Sequence, residues 1–200
     1  MADFNWTEVL NILFRWFHVV FGILWIGLLY FFNFVNANFA KTLDADTKKK
    51  VVPELMPRAL YFFRWASMIT FIAGLVLLYI NYMGPTASGS WDSARGHWIM
   101  LGALFGTIMW FNVWFIIWPS QRKIINGIKS GNAAAPEIVS RAALASKINV
   151  YLSVPMTFAM LAAGGHFTHD DWYWYVGVIA VGFLAANGGY KRAAKVSTNV

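Results

Sequence analysis

Cysteine is absent from this 200-residue sequence, and charged residues are scarce at 12%. Without cysteine there are no disulfides, thiolate metal sites, iron–sulfur clusters or covalently attached c-type haem. The shortage of charge excludes a disordered chain, which is rich in charge and poor in apolar residues. The sequence is instead 58% hydrophobic and 18% aromatic, which is more apolar surface than a soluble fold of this length can bury. We therefore expect an integral membrane protein.

Five apolar runs have the length of roughly twenty residues that a helix needs to cross a bilayer. They cover about residues 12–35, 60–82, 97–118, 148–167 and 172–190. The sequence thus predicts an all-α fold, a five-helix transmembrane bundle that forms a single domain over residues 1–200. The first long connection is expected to hold only a short amphipathic helix, which Pro53 ends.

Basic residues are distributed very unevenly over the two sides that five spans define. Arg15 and Arg95 lie on one side, and the other fourteen basic residues lie on the opposite side. The positive-inside rule then places the N-terminus outside and the C-terminus in the cytoplasm. This sidedness accounts for the net charge of +7, so we expect a lipid bilayer as partner and no nucleic acid. The predicted location is the bacterial inner (cytoplasmic) membrane, as a multi-pass protein.

The four histidines are the residues most suggestive of chemistry, because histidine is costly in hydrocarbon. His18, His97, His166 and His169 all fall near the outer ends of predicted spans. Two neutral imidazoles from different helices are a common way for a bundle to hold a b-type haem. His18 and His166 are the leading pair of predicted metal ligands for haem b. The alternative is that His18 only makes a hydrogen bond to a neighbouring helix.

Two neighbours of His18 complete the predicted cofactor-binding set. Arg15 lies one turn before His18 on the same helix and is expected to pair with a haem propionate or a quinone carbonyl. Gly22 lies one turn after His18 and leaves room for a flat macrocycle to approach the backbone. Simple close packing of helices is the alternative explanation for this glycine.

Side-chain amides occupy the inner halves of the predicted spans. Asn33, Asn36, Asn112 and Asn149, with Ser153 nearby, are expected to form interhelical hydrogen bonds. A polar pocket for a quinone head group is the alternative. In the fifth span, Gly182 and Ala186 form a pair of small residues at the spacing that favours close helix contact.

Arg64 and a tryptophan stripe complete the unusual features of the spans. Arg64 lies about four residues into the second span and is expected to extend its charged end towards the membrane surface. On the third span, tryptophan recurs every four residues at Trp110, Trp114 and Trp118. This spacing places the three rings on one face of a helix. We interpret the stripe as a packing seam rather than as a cofactor wall.

Several blocks resemble a known family. They are RWFH at 15–18, VPELMP at 52–57, LFGTIM at 104–109 and PSQRK at 119–123. Together they resemble the N-terminal membrane domain of the membrane-bound urate hydroxylase (urate oxidase) family. The resemblance implies a redox-linked membrane protein. Full-length members carry further spans and a C-terminal cytochrome c domain, so we expect this cysteine-free chain to be a compact relative lacking that domain.

Two hypotheses of different classes follow for the function. The first is a redox-linked subunit of an electron-transfer chain that binds haem b, interacts with quinone, or does both. The second is a non-catalytic accessory subunit that packs against other membrane protein subunits in a larger complex. Whether the protein is itself an enzyme stays open, because no paired carboxylates, nucleophile triad or metal-spacing motif stands out within the spans.

Overall fold

The computed structural model describes residues 5–165 and 167–196, and this part of the chain forms helices and turns without a strand. The long helices are α1 (Trp6–Thr42), α2 (Ala45–Met83), α3 (Ala94–Ser130), α4 (Pro136–Ala162) and α5 (Trp172–Ala193). The all-α prediction is confirmed. Helices α1 to α4 are long and apolar enough to cross a membrane. His166, one of the two predicted haem ligands, lies outside the described residues.

Polar residues set the ends of the helices. The Asn5 side chain accepts hydrogen bonds from two backbone N–H groups at the start of α1, and the Ser93 hydroxyl accepts one, from Gly96, at the start of α3. Asp44 caps α2, and its hydrogen bond from the Thr47 hydroxyl holds the pKa of this carboxyl below its ordinary value. The cap therefore stabilises α2 at neutral pH and is lost as the pH falls through the lowered pKa.

Helix α2 continues through two prolines, so the predicted helix end at Pro53 is wrong. Pro53 and Pro57 both lie inside α2. A proline already has a helical φ angle and removes only one backbone hydrogen bond, which packing can offset. Met56 and Leu60, on either side of Pro57, are 8% and 2% exposed and supply that packing.

The end of the fourth span also differs from the prediction. Helix α4 ends at Ala162, whereas the apolar run extends to about residue 167. Gly165 follows with a φ of 95°, a left-handed conformation that terminates helices and that glycine adopts without strain. Residues 163–165 form a turn after α4, so hydropathy alone overestimates the length of this helix.

The helices follow one another around the bundle in chain order. The most extensive contact joins α3 to α4, followed by α1 to α2, and smaller contacts join α2 to α3 and α4 to α5. Helix α5 contacts α1 and so completes the bundle. The Phe34 and Tyr190 rings pack edge to face there, with their centroids 5.2 Å apart. Because helices consecutive in the chain run in opposite directions, the starts of α1, α3 and α5 share one end of the bundle with the ends of α2 and α4.

The predicted close contact through the small residues of α5 is confirmed. Gly182 is buried and Ala186 is 3% exposed. A Cβ atom on Gly182 would lie 2.7 Å from Cδ of Pro155 in α4. The absence of a side chain at Gly182 is therefore what lets α5 approach α4 this closely.

Three π-helical turns interrupt the first three helices, and each contains an asparagine. They are Phe31–Asn36, Tyr79–Met83 and Asn112–Ile117. In α1 the Asn33 amide donates to the Leu29 carbonyl at 2.8 Å, and in α2 the Asn81 amide donates to the Leu77 carbonyl at 2.7 Å. Side-chain amides thus supply hydrogen bonds at the points where the backbone bonding pattern shifts by one residue.

The predicted interhelical hydrogen bonds of the amides are confirmed. Asn112 donates to Asn149 at 2.8 Å, and Asn149 donates to the Met109 carbonyl at 3.0 Å, with both side chains buried. Asn33 donates to the Ser146 hydroxyl and accepts from the Tyr190 hydroxyl, both at 2.8 Å. A quinone head group at these amides would have to replace bonds that already join the helices.

Removing the amide of Asn149 should destabilise the bundle. In Asn149→Ala the buried Asn112 amide loses its partner, which costs about 1–3 kcal/mol, while the Met109 carbonyl keeps its backbone donor, the Asn112 N–H. Denaturant unfolding in detergent measures this loss. Asn126→Ala is the matched control, because Asn126 is an exposed amide on α3. Equal midpoints for the two variants would contradict the structural role of the pair.

Candidate functional site

His18 lies on the face of α1 that packs against α2. Asn11, His18 and Trp25 recur every seven residues along this face, and Trp25 at its inner end is only 2% exposed. The opposite face of α1 carries exposed apolar side chains such as Trp16 and Ile23. His18 is therefore half-buried between two helices rather than directed straight out of the bundle.

One ring nitrogen of His18 is engaged and the other is free of hydrogen bonds to the described residues. Nδ1 lies 2.9 Å from the backbone carbonyl oxygen of Thr70 in α2. A carbonyl only accepts, so Nδ1 carries the hydrogen and donates it. In the neutral ring this leaves the lone pair on Nε2, which is the tautomer of a histidine that binds a metal through Nε2.

Gly74 makes this hydrogen bond possible. It lies one turn after Thr70, and a Cβ atom there would come within 3.0 Å of His18 Cε1 and 3.3 Å of Nδ1. The imidazole thus occupies the space that a side chain on Gly74 would fill. Sequence reasoning did not identify Thr70 or Gly74 as partners of His18, although a glycine inside a predicted span was a usable signal.

Gly22 lies beside the side chain of Thr70. A Cβ atom on Gly22 would be 3.8 Å from Cγ2 of Thr70, which is an ordinary van der Waals distance. Gly22 was predicted to leave room for a macrocycle. The face of α1 that carries Gly22 therefore packs against α2 at the position of Thr70. The Thr70 hydroxyl is buried, and no residue within 5–165 and 167–196 forms a hydrogen bond with it.

Arg15 lines a polar cleft of about 460 Å³ between the start of α1 and the end of α2. Its Nε donates to the side-chain Oδ1 of Asn11 at 2.5 Å, and the Asn11 Nδ2 in turn donates to Oδ1 of Asn81 at 2.9 Å. The wall of the cleft consists of Asn5, Thr7, Glu8, Asn11, Ile12, Arg15, Ile80, Asn81, Thr86 and Ser88. Arg15 thus presents its charge to a polar cleft one turn from His18, and His18 itself does not line that cleft.

The structure places two other histidines in a separate cluster. His97 Nδ1 lies 3.1 Å from an Asp170 carboxylate oxygen, and the Trp98 indole donates to the His169 carbonyl at 2.8 Å. The His169 ring stacks on Trp174. These contacts join the start of α3 to the connection between α4 and α5. Within residues 5–165 and 167–196, no three His, Cys, Asp or Glu side chains group so as to hold a metal ion.

The comparison with protein families gives one match. The family described as "Urate oxidase N-terminal" matches residues 87–190, just over half of the chain. The matched region contains the LFGTIM and PSQRK blocks and the Asn112–Asn149 pair, whereas Arg15, His18 and Gly22 precede it. No curated protein and no solved structure matches the chain.

Proposed function

Because this chain belongs to the urate oxidase N-terminal family, we propose that it is a membrane-embedded, redox-linked subunit that binds haem b through His18. The apolar helices and the family support a membrane-associated domain. The observation that carries the haem proposal is the hydrogen bond from His18 Nδ1 to Thr70, which leaves Nε2 without a partner among the described residues.

The residues around His18 fit an imidazole that would hold haem iron through Nε2. Metal-binding imidazoles commonly donate their second ring N–H to a carbonyl, which fixes the ring orientation and raises the basicity of the ligating nitrogen. Thr70 supplies that carbonyl, and Gly74 supplies the space for the ring. When bound, haem supplies one-electron transfer. The role of this chain's own residues is to hold the His18 imidazole in one orientation and one tautomer.

The remaining site assignments extend this proposal. His166 is the proposed second ligand, and Gly22 is proposed to leave space near the macrocycle. Arg15 is proposed to pair with a propionate or with a quinone carbonyl. Its support is that the guanidinium lines the polar cleft and has no ion pair to a described carboxylate.

We further propose that all five helices span the bacterial inner membrane, with the N-terminus outside. Helix α5 has 22 residues, about 33 Å at 1.5 Å per residue, which matches a hydrocarbon core of about 30 Å. Lys41, Lys129 and Lys191 lie in the last turns of α1, α3 and α5. The antiparallel order brings these ends together, and the positive-inside rule favours the cytoplasm for them.

An absorbance spectrum tests the haem proposal. Protein purified gently, with retained lipid, from haem-sufficient cells should show a Soret band and the α and β bands of a low-spin b-type haem after reduction. A preparation without a Soret band would refute haem binding. The spectrum needs no substrate, so it tests the cofactor independently of any reaction.

Exposed apolar side chains favour a second candidate, an accessory subunit of a larger membrane complex. Ile23 on α1 and Leu184 on α5 are 69% and 70% exposed, and each belongs to a row of exposed apolar residues. Such rows fit either lipid or the helices of other subunits. Native mass measurement in mild detergent separates these cases. Co-purifying subunits would support the accessory role, and a lone monomer would contradict it.

A further inference from the structure

Arg64 of α2 is surrounded by tryptophan rings. Its guanidinium carbon lies 4.1 Å from the ring centroid of Trp118, 5.1 Å from that of Trp114 and 5.6 Å from that of Trp65. The tryptophan stripe of α3 therefore packs against α2, as predicted for a packing seam. Its rings also form an aromatic wall beside the Arg64 guanidinium. Stacking on aromatic faces stabilises a guanidinium but satisfies none of its N–H groups.

The hydrogen-bonding groups of Arg64 have no acceptor among the described residues. Its Nε is buried without a partner among the described residues, no described residue accepts a hydrogen bond from its terminal nitrogens, and the side chain as a whole is partly exposed. The ion pairs of the described residues are Arg58–Glu54 and His97–Asp170, and neither includes Arg64. An arginine on a membrane-crossing helix is costly without an anion or polar partner. This guanidinium therefore presents unsatisfied donors at its outer edge.

A second arginine shares the same indole. The guanidinium carbon of Arg122 lies 5.9 Å from the Trp118 centroid, so it is at most about 10 Å from that of Arg64. Arg122 is exposed and also lacks a carboxylate partner among the described residues. Two cations this close, one on α2 and one on α3, repel each other unless an anion lies between them or beside them.

We propose that Arg64 and Arg122 form a binding site for the phosphate of an anionic phospholipid. The planar guanidinium pairs with phosphate oxygens through two parallel hydrogen bonds, which lysine cannot do. Basic pockets between transmembrane helices are typical sites for anionic head groups, and tryptophan is enriched at that depth. Both arginines sit on helices apolar enough to cross a membrane, so a lipid delivers the phosphate. This site is separate from His18 and does not depend on haem.

Native mass spectrometry of the full chain in detergent, with phosphatidylglycerol titrated in, tests the proposal. We expect wild type to retain one phosphatidylglycerol more tightly than phosphatidylcholine. Arg122→Gln should weaken retention at least about tenfold, since a hydrogen bond to a charged group contributes about 1.5–3 kcal/mol. Arg64→Lys should weaken it similarly, because the charge stays while the planar fork and the ring stacking are lost. Because Arg122 is exposed, we expect Arg122→Gln to keep the fold. This variant therefore tests the site even if Arg64→Lys does not fold.

Arg58→Gln is the matched control for these variants. Arg58 is an exposed arginine of α2 that is already paired with Glu54, so this variant should retain the lipid as wild type does. Unchanged retention in Arg122→Gln and Arg64→Lys would overturn the site. Displacement of the lipid by an excess of inorganic phosphate would overturn the lipid as its ligand and favour a free phosphate. Resistance to inorganic phosphate would support the lipid.

Discussion

Replacing His18 with alanine should abolish or transform the haem spectrum of the purified protein. The variant removes the nitrogen proposed to bind iron, together with the hydrogen bond that fixes the ring to Thr70. We expect loss of the Soret band or a change to a five-coordinate spectrum. The structural cost should be only about 0.6–2 kcal/mol, the range for one interhelical hydrogen bond in a bilayer. Absorbance and haem content per polypeptide measure the effect, and monodisperse elution verifies the fold.

His169→Ala is the control for this experiment. The His169 contact to Trp98 uses the backbone carbonyl, which alanine retains, and its ring only stacks on nearby aromatic side chains. The spectrum of this variant should equal that of wild type. Identical spectra for wild type, His18→Ala and His169→Ala would reject His18 as a ligand and leave it as a packing hydrogen bond.

The hydropathy pattern predicts where the helices lie but not where they end. Residues 36–42 and 119–130 are too polar to be counted as membrane spans, yet they continue α1 and α3. Helical hydrogen bonds run along the backbone and do not require an apolar environment, so a helix can extend past its apolar run. Conversely, Gly164 and Gly165 end α4 within an apolar stretch.

The depth of His18 could be read from the sequence, whereas its partner could not. That partner is a backbone carbonyl, and every residue of α2 has one. Only the register between α1 and α2 selects Thr70. The register is visible in the structure, because the facing pairs Asn11–Asn81, His18–Gly74 and Asn36–Met56 have residue numbers that add to the same value. Such a register follows from packing along the whole interface, which single residues do not reveal.

The Gly182–Ala186 pair was predictable because small residues at this spacing have one main use in apolar helices, close approach. The amides were predictable for a similar reason, since a buried amide must find a partner. Arg64 shows the limit of this reasoning. Its place near the end of a span predicts a side chain extended towards the membrane surface. The stacking of Arg64 on tryptophan rings, and the Trp118 indole that it shares with Arg122, depend on which face of α3 packs against α2.

Replacing Gly182 with valine should destabilise the bundle more than any single surface change. Even the first added carbon would lie 2.7 Å from Pro155 Cδ and 3.1 Å from the Pro155 backbone nitrogen. A proline ring has no alternative rotamer that moves it aside, so α5 must shift away from α4. Overpacking typically costs about 1–3 kcal/mol, and we expect at least the upper part of that range here. The unfolding midpoint in a denaturing-detergent titration measures the loss.

Gly177→Val is the matched control, because it makes the same substitution in the same helix where no atom lies within 4 Å of the added Cβ. Both variants carry the same change in intrinsic helix propensity, so their difference isolates the contact with α4. Adding Pro155→Ala to Gly182→Val removes the ring that the new side chain strikes and should recover part of the lost stability. A double variant no more stable than Gly182→Val, or equal midpoints for the two valine variants, would show that this contact does not set the distance between α4 and α5.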